Sequence, residues 1–157
     1  MKISSQEEYG IRILIRIADS NNIDGLTIPQ ISQTEGLSQH YVAKLCRILR
    51  LAEFIKSTRG KEGGYTLARP ATDISVSEIV NALGGKLFSL DFCEHHSGIL
   101  ENCHHAFTCS VRSVWQLVQN SVDQVLNGIS LNDLIEFENG RKSSLAQFDE
   151  KVTSSPG

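Results

Sequence analysis

At 157 residues the chain has room for one domain with a real core, and its 40% apolar and 21% charged residues are ordinary for a globular protein in water. No run of roughly 18 apolar residues is present, and Met1-Lys2-Ile3-Ser4-Ser5-Gln6-Glu7-Glu8 has neither the apolar stretch nor the cleavage site of a secretory signal, so a cytoplasmic protein without a membrane span is predicted. The net charge of −3 conceals an uneven distribution: −2 over residues 1–37, +5 over 38–70 and −6 over 71–157. A basic block inside an acidic chain is the footprint of a polyanion partner, with a solvated charged face as the alternative.

Residues 4–20 carry Tyr9, Ile13, Leu14, Ile17 and Ala18 at helical spacing. Thr27-Ile28-Pro29-Gln30 supplies a cap, a first-turn proline and a glutamine three places after the cap, starting a short helix to about Thr34. Gly36 provides a left-handed turn and Ser38 caps a helix over 38–51. That helix has an apolar stripe of Val42, Leu45, Cys46 and Leu49, with His40, Ala43, Lys44, Arg47 and Arg50 opposite. Short helix, glycine turn and two-faced helix form a helix-turn-helix whose Gln39, His40 and Lys44 would reach base edges. Cys46 falls on the core stripe and reads as a small buried hydrophobe.

Strands are predicted over Phe54–Arg59 and Tyr65–Pro70, joined by the turn Gly60-Lys61-Glu62-Gly63-Gly64. This glycine-rich hairpin reads as a wing with Arg59 and Lys61 near its tip, aimed at phosphates or the minor groove. A nucleotide-binding loop is disfavoured, because such loops open onto a helix rather than join two strands. The candidate DNA contacts are Ser38, Gln39, His40, Lys44, Arg47, Arg59, Lys61, Gly63 and Gly64. Ser75 and Glu78 make a capping box for the next helix, with Ile74 and Ile79 as its staple.

Cys93, Cys103 and Cys109 then fall within 17 residues at C-x9-C-x5-C spacing, interleaved with His95, His96, His104 and His105. In a reducing compartment such a cluster favours metal or thiol chemistry over a structural disulfide. Soft thiolates suit an iron–sulfur cluster. A Cys₃His zinc site is the alternative, weakened by the missing short knuckle, and metal-free thiol sensing is a third reading. From Ser110 to about Asn127, Val111, Val114, Trp115, Val118, Val122, Val125 and Leu126 form a stripe too long for one small winged domain to cover, which points to an antiparallel partner helix and a homodimer. Gly128 ends this helix, Ser130 caps a last one to Phe137, and a polar tail that reads as disordered follows Gly140.

The wing Ser57-Thr58-Arg59-Gly60-Lys61-Glu62-Gly63-Gly64-Tyr65-Thr66-Leu67-Ala68-Arg69-Pro70, with Ile74 and Glu78-Ile79-Val80 beyond it, strongly resembles the Rrf family of winged-helix transcription regulators. Met1-Lys2-Ile3-Ser4, Tyr9 and Arg12 also look like that family's first helix. The resemblance covers roughly residues 1–138. It implies a homodimer on a palindromic operator in double-stranded DNA, and an iron–sulfur cluster in members with three cysteines in this region. The IscR-like group has a histidine three residues after the third cysteine, where this chain has Arg112. In NsrR-like members a carboxylate comes from the partner's first helix, and Glu8 stands at that position. The implied ligand set is Cys93, Cys103, Cys109 and Glu8 of the partner subunit, with His95, His96, His104 and His105 as competitors for the fourth place. Four distinct single ligands favour a 4Fe-4S cube over a 2Fe-2S cluster.

The expected fold is therefore mostly α with a small β wing: a winged helix-turn-helix over 1–85, a cysteine-containing loop over 86–109, dimerisation and C-terminal helices over 110–138, and a tail over 139–157. The expected function is DNA-binding regulation responsive to redox state, nitric oxide or iron. A cysteine-dependent enzyme is the rival from another class, offering residues but no recognisable pocket.

Overall fold

The computed structural model describes residues 4–20, 22–58, 63–84, 109–141 and 145. Its elements, in chain order, are α1 (Ser5–Asp19), α2 (Ile28–Glu35), α3 (Gln39–Leu51), β1 (Ile55–Ser57), β2 (Tyr65–Leu67), a short 3₁₀ turn (Ala71–Asp73), α4 (Val76–Leu83), α5 (Ser110–Asn127) and α6 (Leu131–Glu138). The tail beyond Gly140 falls almost wholly outside the described residues, as does the loop over 85–108.

Local chemistry sets the helix starts. Ser4, Thr27, Ser75 and Ser130 each begin a helix with a reciprocal capping box, completed by Glu7, Gln30, Glu78 and Asp133. The Glu78 carboxyl is held below its usual range by the Ser75 N–H and by Arg69. Gly36, with φ 67°, ends α2 in the left-handed conformation and lets Ser38 cap α3 two residues later. α3 ends in the same way without a glycine. Glu53 takes φ 60° while the Phe54 N–H donates to the Leu49 carbonyl at 3.0 Å, a Schellman closure that pins Phe54 under the helix.

The apolar stripes of these helices meet in one core: Ile13, Leu14 and Ile17 of α1, Ile31 of α2, Val42, Leu45, Cys46 and Leu49 of α3, Ile79 and Leu83 of α4, and Leu131 and Ile135 of α6. The staple residues Ile74 and Ile79 are both fully buried. α1 lies so close to α4 that a Cβ on Gly10 would collide with Leu83. Cys46 belongs to this core, and burial pushes its thiol up to about 11. At neutral pH only on the order of one Cys46 in ten thousand is then thiolate. Iodoacetamide is expected to leave Cys46 unmodified in the native protein and to alkylate it after unfolding, read by peptide mass spectrometry. Rapid native labelling would contradict this placement.

The two strands pair antiparallel with Ile55 opposite Leu67 and Ser57 opposite Tyr65. They are shorter than the predicted 54–59 and 65–70. Ladder bonds extend one step, from the Ala68 N–H to the Phe54 carbonyl at 2.9 Å and from the Thr58 N–H to the Gly64 carbonyl at 2.9 Å. Past that point Arg69 turns to the Asp73 carbonyl and Glu78, and Pro70 has no N–H to donate. An unpredicted third segment joins the sheet: Leu26 bridges Tyr65, with N–H to carbonyl distances of 2.8 and 3.1 Å.

Candidate functional site

Two regions carry the predicted chemistry. The first is α3 with the wing. Its apolar side is buried, so Gln39, His40, Lys44, Arg47 and Arg50 are held out in solvent. Lys44 lies over the Tyr41 ring at 5.9 Å from its centroid, a cation–π contact that presents the ammonium along the helix. The Ser38 hydroxyl accepts from the Tyr41 N–H at 3.2 Å, so this side chain is committed to the helix start.

At the wing base Gly64 is buried, its N–H donating to the Asp24 carbonyl at 3.1 Å and to the Thr58 hydroxyl at 2.8 Å. A Cβ on Gly64 would stand 2.6 Å from the Leu26 carbonyl, so packing alone demands glycine there. Gly63 is exposed. The tip residues Arg59 and Lys61 lie outside the described residues.

The second set of predicted residues stands at the N-terminus of α1 and, separately, at that of α5. Cys109 is half-buried and caps α5, its sulfur accepting from the Arg112 N–H at 3.4 Å. Peptide N–H bonds to sulfur are one of the means by which proteins tune cluster thiolates. Cys93, Cys103 and the four loop histidines lie outside the described residues. Of the two adjacent acids on α1, Glu7 is buried and spent on its capping box, accepting from the Ser4 N–H at 2.6 Å. Glu8 points outward, its side chain 59% exposed, 3.9 Å from the Arg12 guanidinium. Cys109, with a half-buried sulfur, and Glu8, with an outward carboxylate, are the two of the implied donors that fall among the described residues.

α5 leads away from Cys109 with its apolar side chains in solvent. Val111, Val114, Trp115, Leu117, Val118 and Val125 are between 38% and 68% exposed, while Val122 and Leu126 are half-buried. Gln119 is the buried residue of this helix, its amide donating to Asp123 at 2.8 Å.

Sequence reasoning missed a buried carboxylate between these regions. Glu35, the last residue of α2, has a side chain only 1% exposed, and it accepts from Arg12 Nε at 2.7 Å and Arg16 Nε at 2.8 Å. Arg16 reaches on to Glu138 of α6 at 3.1 Å, and Glu35 holds its guanidinium more firmly charged. A signal was available, because an acid at a helix C-terminus opposes the dipole and so calls for cations nearby.

A short helix, a left-handed glycine turn, a second helix with an exposed basic face and a two-stranded hairpin together define a winged helix-turn-helix DNA-binding protein. Residues 3–137 match the Rrf2 family, described as iron-dependent transcriptional regulators. The chain belongs to that family. It is 34% identical over 135 residues to the protein rrf2 of Nitratidesulfovibrio vulgaris, covering 86% of this chain and 87% of that one. To the HTH-type transcriptional regulator CymR of Bacillus subtilis it is 29% identical over 144 residues, covering 92% and 96%. The solved structure of CymR, the global cysteine regulator of B. subtilis, matches with a TM-score of 0.67 at 31% identity, covering 87% of this chain and 98% of that one. T. potens IscR matches with a TM-score of 0.65 at 27% identity, covering 100% and 94%. The protein is a transcriptional regulator, not an enzyme. No helix among the described residues is long and apolar enough to cross a membrane.

Proposed function

We propose that this regulator works as a homodimer on a palindromic operator and senses redox state, nitric oxide or iron through an iron–sulfur cluster held by Cys93, Cys103, Cys109 and the partner subunit's Glu8. The observation that carries the reading is the arrangement of α5: its first turn is capped by a candidate thiolate, and its length bears an unpartnered apolar stripe. A second subunit covering that stripe would pack alongside the helix that Cys109 caps, and the reading takes Glu8 of that subunit as the fourth ligand. The outward Glu8 is suited to that role and the inward Glu7 is not.

On the duplex, Gln39, His40, Lys44 and Arg47 would face the major groove, with Arg59 and Lys61 on phosphates or in the minor groove. A bound iron–sulfur cluster supplies redox and ligand-exchange chemistry at the subunit contact. Glu8 is a weaker, more displaceable donor than a thiolate, so its release would free α1 and change the relative setting of the two α3 helices. The family's description as iron-dependent supports a cluster over a zinc site. CymR, a cysteine regulator by name, favours cluster-free thiol sensing as the second reading.

Anaerobic purification is the direct test. The expected product is brown, with iron and acid-labile sulfide, and Cys93→Ser, Cys103→Ser and Cys109→Ser should each abolish the colour. Stoichiometric zinc in a colourless protein would replace the cluster with a zinc site. Operator affinity should fall steeply with salt, and Arg59→Ala should lower it and flatten the salt slope by about one phosphate contact.

A further inference from the structure

We propose that the groove between the end of α3 and β1 is a further phosphate-binding site for the operator backbone, with Arg50 and Lys56 as its cations. The inference rests on the reading of α3 and the wing as the surfaces that face the duplex. Seven basic residues give the segment 38–70 its charge of +5. That reading places Lys44, Arg47, Arg59 and Lys61 on the duplex, while Arg69 is spent on Glu78 and the Asp73 carbonyl. Arg50 and Lys56 are left over, and both line one open groove of about 760 Å³.

The turn after α3 builds this groove. Glu53, at φ 60°, reverses the chain, so the last turn of α3 forms one wall and β1 the other. Ile55 is buried in the core, which turns Lys56, its neighbour in the strand, to the opposite face and into solvent. Arg50 stands one turn beyond Arg47 on α3 and is also exposed. Among the described residues neither cation has an ion pair, a side-chain hydrogen bond or a ring contact. Ser57, exposed beside Lys56 on the same wall, adds a hydroxyl donor.

The acids around the groove decide what it can hold. Glu78 is closed off by Arg69 at 2.8 Å and by its own capping box, and Arg69 is fixed over the Phe54 ring at 5.5 Å from its centroid. Glu53 is the uncommitted acid among the described lining residues. Two uncommitted cations against one acid favour an anion, and Glu53 limits how tightly it is held. The walls belong to the two elements that would flank the duplex, so the anion they meet is a backbone phosphate. Such contacts fix the register of α3 on DNA and carry no base preference.

Operator affinity over a range of salt, combined with phosphate-ethylation interference, tests the site on the full-length protein. Arg50→Gln and Lys56→Gln should each flatten the slope of log affinity against log salt by about 0.9 and weaken binding about 5-fold at physiological salt. Specific and non-specific DNA should weaken alike, and the thermal midpoint should hold because both side chains are exposed. Arg50→Lys should keep most of the slope, and Glu53→Gln should raise affinity. Ethylation of one or two phosphates should block wild-type binding yet cease to matter in the double variant Arg50→Gln, Lys56→Gln. A double variant with every interference position intact overturns the site, even if its slope falls, because general attraction then explains the cations. A loss of affinity in Glu53→Gln also counts against it, since the acid would then serve the ligand. Inorganic phosphate that shifts the Lys56 amide resonance at millimolar concentration, with interference unchanged, would make the groove a small-anion site instead. If Arg59→Ala leaves the slope unchanged as well, the duplex-facing reading beneath the proposal fails with it.

Discussion

Val118→Asp is expected to turn the proposed dimer into a folded monomer and to lower operator affinity by about two orders of magnitude or more. Val118 stands near the middle of α5, outside the core that joins the other helices, and 38% of it is in solvent. In an antiparallel pair of α5 helices related by a two-fold axis, a residue at the midpoint faces its own copy. The substitution therefore acts twice. Each subunit loses the burial of the part of the valine left in solvent, worth about 0.5–1 kcal/mol. Two aspartates are also brought together in a dry seam, where desolvating an unpaired charge costs several kcal/mol each. The combined loss is roughly 6 kcal/mol or more, over four decades in the dimer dissociation constant.

Sedimentation velocity at micromolar concentration reads the outcome. Asn120→Asp, which adds the same charge at an exposed position of α5 away from the stripe, should leave the dimer intact. Helical content and the thermal midpoint of the Val118→Asp monomer should stay close to those of the isolated fold, because no core contact is lost. Operator affinity falls because one monomer holds one half-site, and the coupling between half-sites disappears. A Val118→Asp protein that sediments as a dimer would remove α5 from the interface.

The elements most legible in the sequence were those whose chemistry is local. Caps at Thr27, Ser38, Ser75 and Ser130, the turn at Gly36 and the stripe Val42-Leu45-Cys46-Leu49 each occupy the place predicted for them. Such features depend on residues three or four apart, and spacing alone reveals them. The α5 stripe was readable for a related reason: its length exceeded what the rest of the domain could cover, and the structure leaves it in solvent.

Contacts between residues distant in sequence were not legible. Glu35 meets arginines 19 and 23 positions away, and no local pattern pairs them. Leu26 joins the sheet through two hydrogen bonds to Tyr65, yet Leu26-Thr27 reads as the approach to a helix. The candidate site divides in the same manner. Helical phase identified the exposed row of α3, whereas capping of Cys109 onto α5 and the opposite orientations of Glu7 and Glu8 depend on where each helix begins.

Gly64→Ala should separate the two roles that the wing glycines can play. Composition and position made Gly63 and Gly64 equal candidates for close approach to DNA, but their surroundings differ. The Cβ of an alanine at 64 would overlap the Leu26 backbone at 2.6 Å, and backbone cannot swing aside as a side-chain tip can. The segment around Leu26 must then separate from the hairpin, straining the bonds from Gly64 to Asp24 and between Tyr65 and Leu26. Overpacking costs about 1–3 kcal/mol and each weakened hydrogen bond about 0.5–1.5 kcal/mol, so a loss of roughly 2–5 kcal/mol is expected. In a domain of this size that lowers the thermal midpoint by roughly 5–15 °C. Operator affinity should fall too, since the strands that aim the wing lose their anchor. Gly63→Ala, at an exposed position, should leave the midpoint unchanged, and any loss of affinity there reports on contact with DNA. Gly64→Ala with an unaltered midpoint and lost binding would reverse the assignment, making Gly64 a contact to the duplex and its burial against Leu26 incidental.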